Sequence, residues 1–92
     1  MVLGAIAAGN CVVLKPSHKG PSFGTLLATV LPKYLDPACY TIFGENNDYV
    51  EKLLEEKFDY IYFTGTASVG RIIHRAANKY LTPTTLQLGG KN

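Results

Sequence analysis

Tryptophan is missing from this 92-residue chain, methionine occurs once and cysteine only twice. Two cysteines, Cys11 and Cys39, are too few for a disulfide framework and lack the spacing of a metal-binding pair. Each opens a β-branched or aromatic run, so each reads as a small hydrophobe at the start of a strand. No metal site is expected. Charge is scarce: charged residues make up 17% of the chain and the formal net charge is +2. Without a basic cluster interleaved with aromatics, that balance excludes a nucleic-acid partner. Long apolar runs are lacking too, so no membrane-spanning segment is expected. Met1 to Ala8 is apolar but has neither a basic flank nor a cleavage pattern, which argues against a signal peptide. There is no internal repeat, linker or low-complexity tract. The compartment stays unknown, with the cytoplasm as the default.

What is present is an ordinary globular composition, with 47% hydrophobic residues. The length allows one small domain at most, and a domain of that size is marginally stable by itself.

Short apolar runs alternate with helical patterns. Cys11-Val12-Val13-Leu14 ends at Lys15-Pro16-Ser17, and Cys39-Tyr40-Thr41-Ile42-Phe43 ends at Gly44-Glu45-Asn46. Tyr60-Ile61-Tyr62-Phe63 ends at Thr64-Gly65-Thr66, and Thr84 to Leu88 leads into Gly89-Gly90. Between them, Phe23, Leu26, Leu27, Val30, Leu31 and Tyr34 recur at helical spacing. Pro32 should remove one backbone bond from that helix and bend its last turn. Val50, Leu53, Leu54 and Phe58 mark a second helix with Asp48 as its expected cap. Val69, Ile72, Ile73, Ala76, Ala77 and Tyr80 mark a third, whose wet face holds Arg71, His74, Arg75, Asn78 and Lys79. Met1 to Ala8 reads as the tail of a further helix, stopped by Gly9 and Asn10.

Strand and helix alternation with short connections predicts an α/β fold. It is a partial doubly wound, Rossmann-like parallel sheet with helices on both faces. Both ends read as cuts through a larger domain, so residues 1–92 are expected to be part of a dinucleotide-binding domain. In such sheets ligands bind beyond the carboxyl ends of the strands. That rule selects Lys15 to His18, Gly44 to Asn47, and Thr64 to Gly70.

The last segment is the most informative. A glycine after a strand permits a sharp turn, and a helix start offers free amides to an anion. Thr66 and Ser68 add hydroxyls. Spacing alone does not choose between phosphate binding and simple capping by Thr66. Gly65-x-x-x-x-Gly70-Arg71-Ile72 also approaches a P-loop. Arg71 stands in place of the lysine, however, and Ile72 cannot ligate magnesium, so a nucleoside triphosphatase is disfavoured. Lys15 sits at the ligand edge of its strand, where an ammonium reaches ribose or phosphate oxygens or simply meets solvent. His74 has no evident partner and reads as a surface residue.

Three stretches together resemble the aldehyde dehydrogenases. Gly4-Ala5-Ile6-Ala7-Ala8-Gly9-Asn10-Cys11-Val12-Val13-Leu14-Lys15-Pro16-Ser17 is similar to the family's G-A-[IL]-A-A-G-N-x-V-V-x-K-P-S stretch. Phe63-Thr64-Gly65-Thr66 through Gly70 resembles its F-T-G-S-x-x-V-G turn, and Leu86 to Lys91 its L-E-L-G-G-K signature. The three occur in the family's order. Tyr34-Leu35-Asp36 and Leu81-Thr82-Pro83 point to the class-3 or fatty-aldehyde branch.

The resemblance implies oxidation of a small-molecule aldehyde to a carboxylic acid with NAD or NADP as hydride acceptor. It implies covalent catalysis by a cysteine and activation of water by a general base, in homodimers or homotetramers. By position, Lys15 corresponds to the lysine that holds the adenosine ribose, and Ser17 of the same turn is counted with the cofactor-binding residues. Gly65 corresponds to the turn glycine and Thr66 to the hydroxyl near the pyrophosphate. Val69 corresponds to the residue lining the adenine side, and Gly89 to the loop beside the nicotinamide. Gln87 stands where the family places its catalytic glutamate, and an amide cannot accept a proton at neutral pH. His18 stands where an acid commonly follows, which leaves the choice of NAD or NADP open. The resemblance places the nucleophilic cysteine a few dozen residues after the Leu86–Lys91 motif, beyond Asn92. The chain is therefore expected to be inactive alone. The alternative is a catalytically inactive remnant or weak nucleotide-binding module.

Overall fold

The computed structural model describes residues 1–43 and 48–91. The expected ligand loop Gly44 to Asn47 lies outside the described residues, as does the Asp48 side chain expected to cap the next helix. The chain divides into two compact units, Met1–Tyr49 and Val50–Asn92.

The first unit begins with helix α1 (Val2–Ala7). Its stop is the one the sequence predicts. Gly9 takes the left-handed conformation at φ 84°. Its N–H donates to Ile6 O at 2.9 Å and the Asn10 N–H to Ala5 O at 3.1 Å. This pair of bonds closes the last helical carbonyls, and the positive φ is the reason for glycine. The chain then enters β1 (Val12–Leu14), crosses over through α2 (Pro21–Tyr34) and returns as β2 (Tyr40–Ile42). The two strands are parallel, with Val12 opposite Tyr40 and Leu14 opposite Ile42. The ladder is tied at both ends, by Val12 N–H to Cys39 O and Phe43 N–H to Leu14 O, each at 2.9 Å.

Helix α2 starts with Gly20 as cap and Pro21 at its first position, where a missing N–H costs nothing. Its inward face matches only part of the stripe marked by the large apolar residues. Phe23, Leu26 and Tyr34 are exposed, whereas Gly24 is buried. A Cβ on Gly24 would stand 3.0 Å from Cβ of Pro16. The bare backbone lets the helix settle there, and Leu27, Leu31 and Leu35, on the same stripe, become half-buried. Pro32 is accommodated inside the helix, and the next cap bond, Leu35 N–H to Leu31 O, forms at 2.9 Å.

The second unit holds the body of α3 (Asp48–Glu55), then β3 (Ile61–Thr66), α4 (Ala67–Asn78) and β4 (Thr84–Gly89). Strands β3 and β4 are again parallel, in register from Ile61 opposite Thr84 to Thr66 opposite Gly89. Helix α4 packs on both. Gly70, Ile73 and Ala77 form its buried stripe, while Val69 and Ile72, expected inside, are exposed. A Cβ on Gly70 would lie 2.6 Å from Leu88 Cδ2, so the helix approaches β4 closely at residue 70. The far end of α4 is tied to the end of α3. Tyr80 Oη donates to Glu55 O and Thr82 Oγ1 to Phe58 O, both at 2.8 Å.

The α/β class with parallel crossovers is as the sequence predicts. Two details differ. Among the described residues the strands form two two-stranded sheets, β1–β2 and β3–β4. In all four strands burial also alternates, leaving Val13, Thr41, Tyr62, Thr64, Thr85 and Gln87 exposed. An apolar or aromatic residue at an outward position, such as Val13 or Tyr62, makes a strand covered on one face read like one covered on both. No helix of the described residues is long and apolar enough to cross a membrane.

Candidate functional site

The carboxyl ends of β3 and β4 finish side by side, with Thr66 and Gly89 forming the last rung of the ladder. Helix α4 starts at the very next residue, Ala67, so there is no intervening turn. The sharp turn expected at Thr64–Gly65–Thr66 is therefore corrected: these residues continue the strand. Gly65 pairs with Leu88, and the ring of Phe63 explains its missing side chain, because a Cβ there would lie 2.6 Å from Phe63 Cζ. Gly89 likewise ends the strand rather than lying in a loop.

Thr66 caps α4. Its Oγ1 accepts from the Val69 N–H at 3.5 Å and exchanges a hydrogen bond with Ser68 Oγ at 3.0 Å. The first amides of a helix, here those of Ala67 and Ser68, have no acceptor within the helix. Exposed hydroxyls at Thr66 and Ser68 stand beside them, and Val69 is also exposed. A rim of amides and hydroxyls at a helix start, with a side-chain-free Gly89 on the neighbouring strand, suits an anionic group such as a pyrophosphate.

Gln87 lies on the open face of the same sheet, opposite Thr64. Its Oε1 accepts from Tyr62 Oη at 3.3 Å, and Tyr60 bonds Thr85 through their hydroxyls on the same face. Tyr62 was not singled out from sequence. The signal was available in the period-2 alternation, which puts Tyr60, Tyr62 and Thr64 on one face. Which residues they meet depends on the β3–β4 register, and a single strand does not carry that. On the other side of the sheet, His74 is not partnerless: its Nδ1 meets Thr84 Oγ1 at 3.5 Å. His74, Arg71 and Arg75 line a shallow groove with Leu86 and Leu88. Lys79 Nζ stands 5.5 Å from the centre of the adjacent Tyr80 ring.

Lys15 and Ser17 belong to the first unit. Lys15 is half-buried and its Nζ donates to Pro16 O at 3.0 Å. Ser17 Oγ accepts from the Lys19 N–H at 3.2 Å, which stabilises the turn after β1. Cys11 is exposed and Cys39 half-buried at the starts of their strands. The Cys39 thiol is pushed above its ordinary value, first by a hydrogen bond with Cys11, then by the charge of Cys11, partial burial and the charge of Asp36. Among the described residues no group of three or more His, Cys, Asp or Glu side chains could hold a metal ion.

The model of the aldehyde dehydrogenase family matches residues 1–92. The chain belongs to the aldehyde dehydrogenase family. It is 57% identical to mouse aldehyde dehydrogenase family 3 member B1 over 91 residues, which is 99% of this chain and 19% of that protein. It is 50% identical to the dog aldehyde dehydrogenase named dimeric, NADP-preferring, covering 99% of this chain and 20% of the relative. Among solved structures, a substrate-bound Staphylococcus aureus AldH matches with a TM-score of 0.93 at 34% identity, over 99% of this chain and 20% of that one. A Mycobacterium tuberculosis aldehyde dehydrogenase complexed with NAD+ matches with a TM-score of 0.80 at 33% identity, over 96% and 19%. The chain thus spans about a fifth of the length of the relatives it matches, and its likeness to family 3 agrees with the class-3 segments of the sequence.

Proposed function

We propose that residues 1–92 supply part of the dinucleotide-binding domain of an NAD(P)-dependent aldehyde dehydrogenase, an oxidoreductase that converts a small-molecule aldehyde to a carboxylic acid. The observation that carries this reading is the Thr66–Gly89 rung, where two parallel strands and the start of α4 end together. Bound NAD or NADP would accept the hydride from the aldehyde carbon. The exposed amides and hydroxyls of Thr66 and Ser68 hold the pyrophosphate, with Gly89 leaving room for it, Gly65 keeping the strand straight beneath them and Val69 offering an apolar wall. Lys15, whose ammonium has two donors beyond the one given to Pro16 O, holds a ribose, with Ser17 in the same turn. Two relatives support cofactor use, one by an NADP-preferring name and one by its complex with NAD+. The dimeric name of the first supports assembly as a homo-oligomer.

Gln87 occupies the position of the general base. Its amide orients a water but does not take its proton. Neither Cys11 nor Cys39 follows the Leu86–Lys91 motif, where the nucleophile is expected. Titration with NAD and with NADP tests the cofactor site. Saturable binding at about millimolar or below is expected, with Lys15→Ala and Thr66→Ala each weakening it. Unchanged affinity in both variants removes the assignment. The second reading, a catalytically inactive remnant or weak nucleotide-binding module, is favoured by the amide at position 87. Loss of all saturable dinucleotide binding leaves a remnant with no nucleotide site. In a full-length protein carrying this segment, Gln87→Glu raises turnover about a hundredfold if position 87 serves as the base.

A further inference from the structure

The β1–β2 ladder brings together two thiols that the family's chemistry does not use. Its first rung is Val12 opposite Tyr40, held by the bond from Val12 N–H to Cys39 O at 2.9 Å. Extending the register by one step sets Cys11 beside Cys39, the last residue of the turn into β2. Matched residues on parallel strands project to the same face, and alternation puts this rung on the side of exposed Val13 and Thr41. Neighbouring strands lie about 4.8 Å apart, inside the range of about 4.4–6.8 Å between the Cα atoms of bridged cysteines. The Cys39 thiol is raised above its ordinary value first of all by Cys11, as expected of two thiols that face each other. Cys11 is exposed and both thiols are free, so a small oxidant reaches the pair without unfolding it.

We propose that Cys11 and Cys39 form a reversible intramolecular disulfide, a dithiol site that responds to low-molecular-weight disulfides such as oxidised glutathione. Cys11 loses its proton, and the thiolate attacks one sulfur of the oxidant, forming a mixed disulfide and releasing one thiolate. Cys39 then loses its proton and attacks the Cys11 sulfur, which expels the second thiolate. The two cysteine protons end on the two released thiols, and the oxidant is reduced by the two electrons the cysteines give up. The bridge joins the ends of β1 and β2 farthest from the Lys15 turn and does not depend on the cofactor reading.

The test equilibrates the chain with oxidised and reduced glutathione, traps free thiols by alkylation and weighs the products, both in buffer and in guanidinium. The expected product in buffer is a monomer that has lost two hydrogens and resists alkylation at both cysteines. Its equilibrium constant should exceed that in denaturant by about tenfold or more, because a bridge that fits the folded geometry is favoured by folding. Cys11→Ser and Cys39→Ser should each leave only a glutathione adduct. Equal constants with and without denaturant would overturn the proposal, as would two alkylatable thiols in buffer or a product that is mainly an intermolecular dimer.

Discussion

Leu81 is a leucine in a glycine's conformation, and replacing it tests the energetics of the second unit. Its φ is 55°, the only positive φ of a non-glycine among the described residues. It follows α4 in the same pattern that stops α1. Leu81 N–H donates to Asn78 O at 3.2 Å and Thr82 N–H to Ala77 O at 3.0 Å. For an L-residue this conformation costs about 1–2 kcal/mol. Glycine has no such cost but brings more freedom to the unfolded chain, about 0.4–1 kcal/mol. Leu81 is 84% exposed, so little apolar burial is lost with its side chain. Leu81→Gly should therefore stabilise the chain by about 0.5–1 kcal/mol. For a domain of this size that raises Tm by about 2–8 °C. The measurement is urea and thermal unfolding followed by far-UV circular dichroism. Leu81→Ala is the control, since it removes the exposed side chain and keeps the strain, and it should move stability by less than about 0.5 kcal/mol. A destabilised glycine variant, or an alanine variant that gains as much, would refute the reasoning.

Other outcomes follow from the same structure. Ile73→Ala, at one of the two buried hydrophobic positions among the described residues, should cost about 2–4 kcal/mol in urea unfolding. Thr66→Ala should lose about 0.5 kcal/mol, the low end for a cap because its bond is 3.5 Å long, while Thr66→Ser keeps both stability and any dinucleotide affinity. Equal dinucleotide affinity in the alanine variant would make Thr66 a cap and nothing more. The raised pKa of Cys39 means that the fold favours its protonated thiol. That contribution is present below the unfolded thiol's pKa and is lost as pH rises through the higher folded value. Stability measured at successive pH values above about 8.5 should therefore fall more steeply for the natural chain than for Cys39→Ser. Parallel curves would show that Cys39 contributes nothing to the pH dependence.

Much of the fold can be read residue by residue from the sequence, and the errors share one physical origin. Gly9 stops α1 because local chemistry decides a helix end, and no distant residue has a say. The alternation of strand and helix is equally local. The stripes of α2 and α4 are partly as expected: Leu27, Val30, Leu31, Ile73 and Ala77 turn inward, whereas Phe23, Leu26, Val69 and Ile72 stay exposed. Gly24 and Gly70 decide which stripe approaches the sheet, by letting Pro16 and Leu88 fill the space a side chain would take. Gly65 looks like a turn residue in sequence, yet it remains in the ladder to make room for the ring of Phe63. At the candidate site, Thr66 and Gly89 were each marked from the motifs, but their side-by-side placement is a matter of register. The same holds for Cys11 beside Cys39 and for Tyr62 beneath Gln87. Register joins residues some 25 positions apart, and no local pattern encodes it.

The Tyr62–Gln87 contact shows how binding and chemistry can separate on one sheet. A carboxylate at position 87 would accept the Tyr62 hydrogen bond as readily as the amide does, and more strongly, since charged acceptors make the stronger bonds. The geometry around position 87 therefore does not require an amide, and the hydrogen bond survives either residue. What changes is the ability to take a proton from water, which the amide lacks. The rim at Thr66 and Gly89 lies at the end of the same two strands and uses backbone amides and hydroxyls, which the residue at position 87 does not alter. In the proposed reading, a single nitrogen in place of an oxygen suppresses the proton transfer and leaves the means of holding a dinucleotide in place. The two capacities should then respond independently, position 87 governing turnover in a full-length protein and position 66 governing affinity.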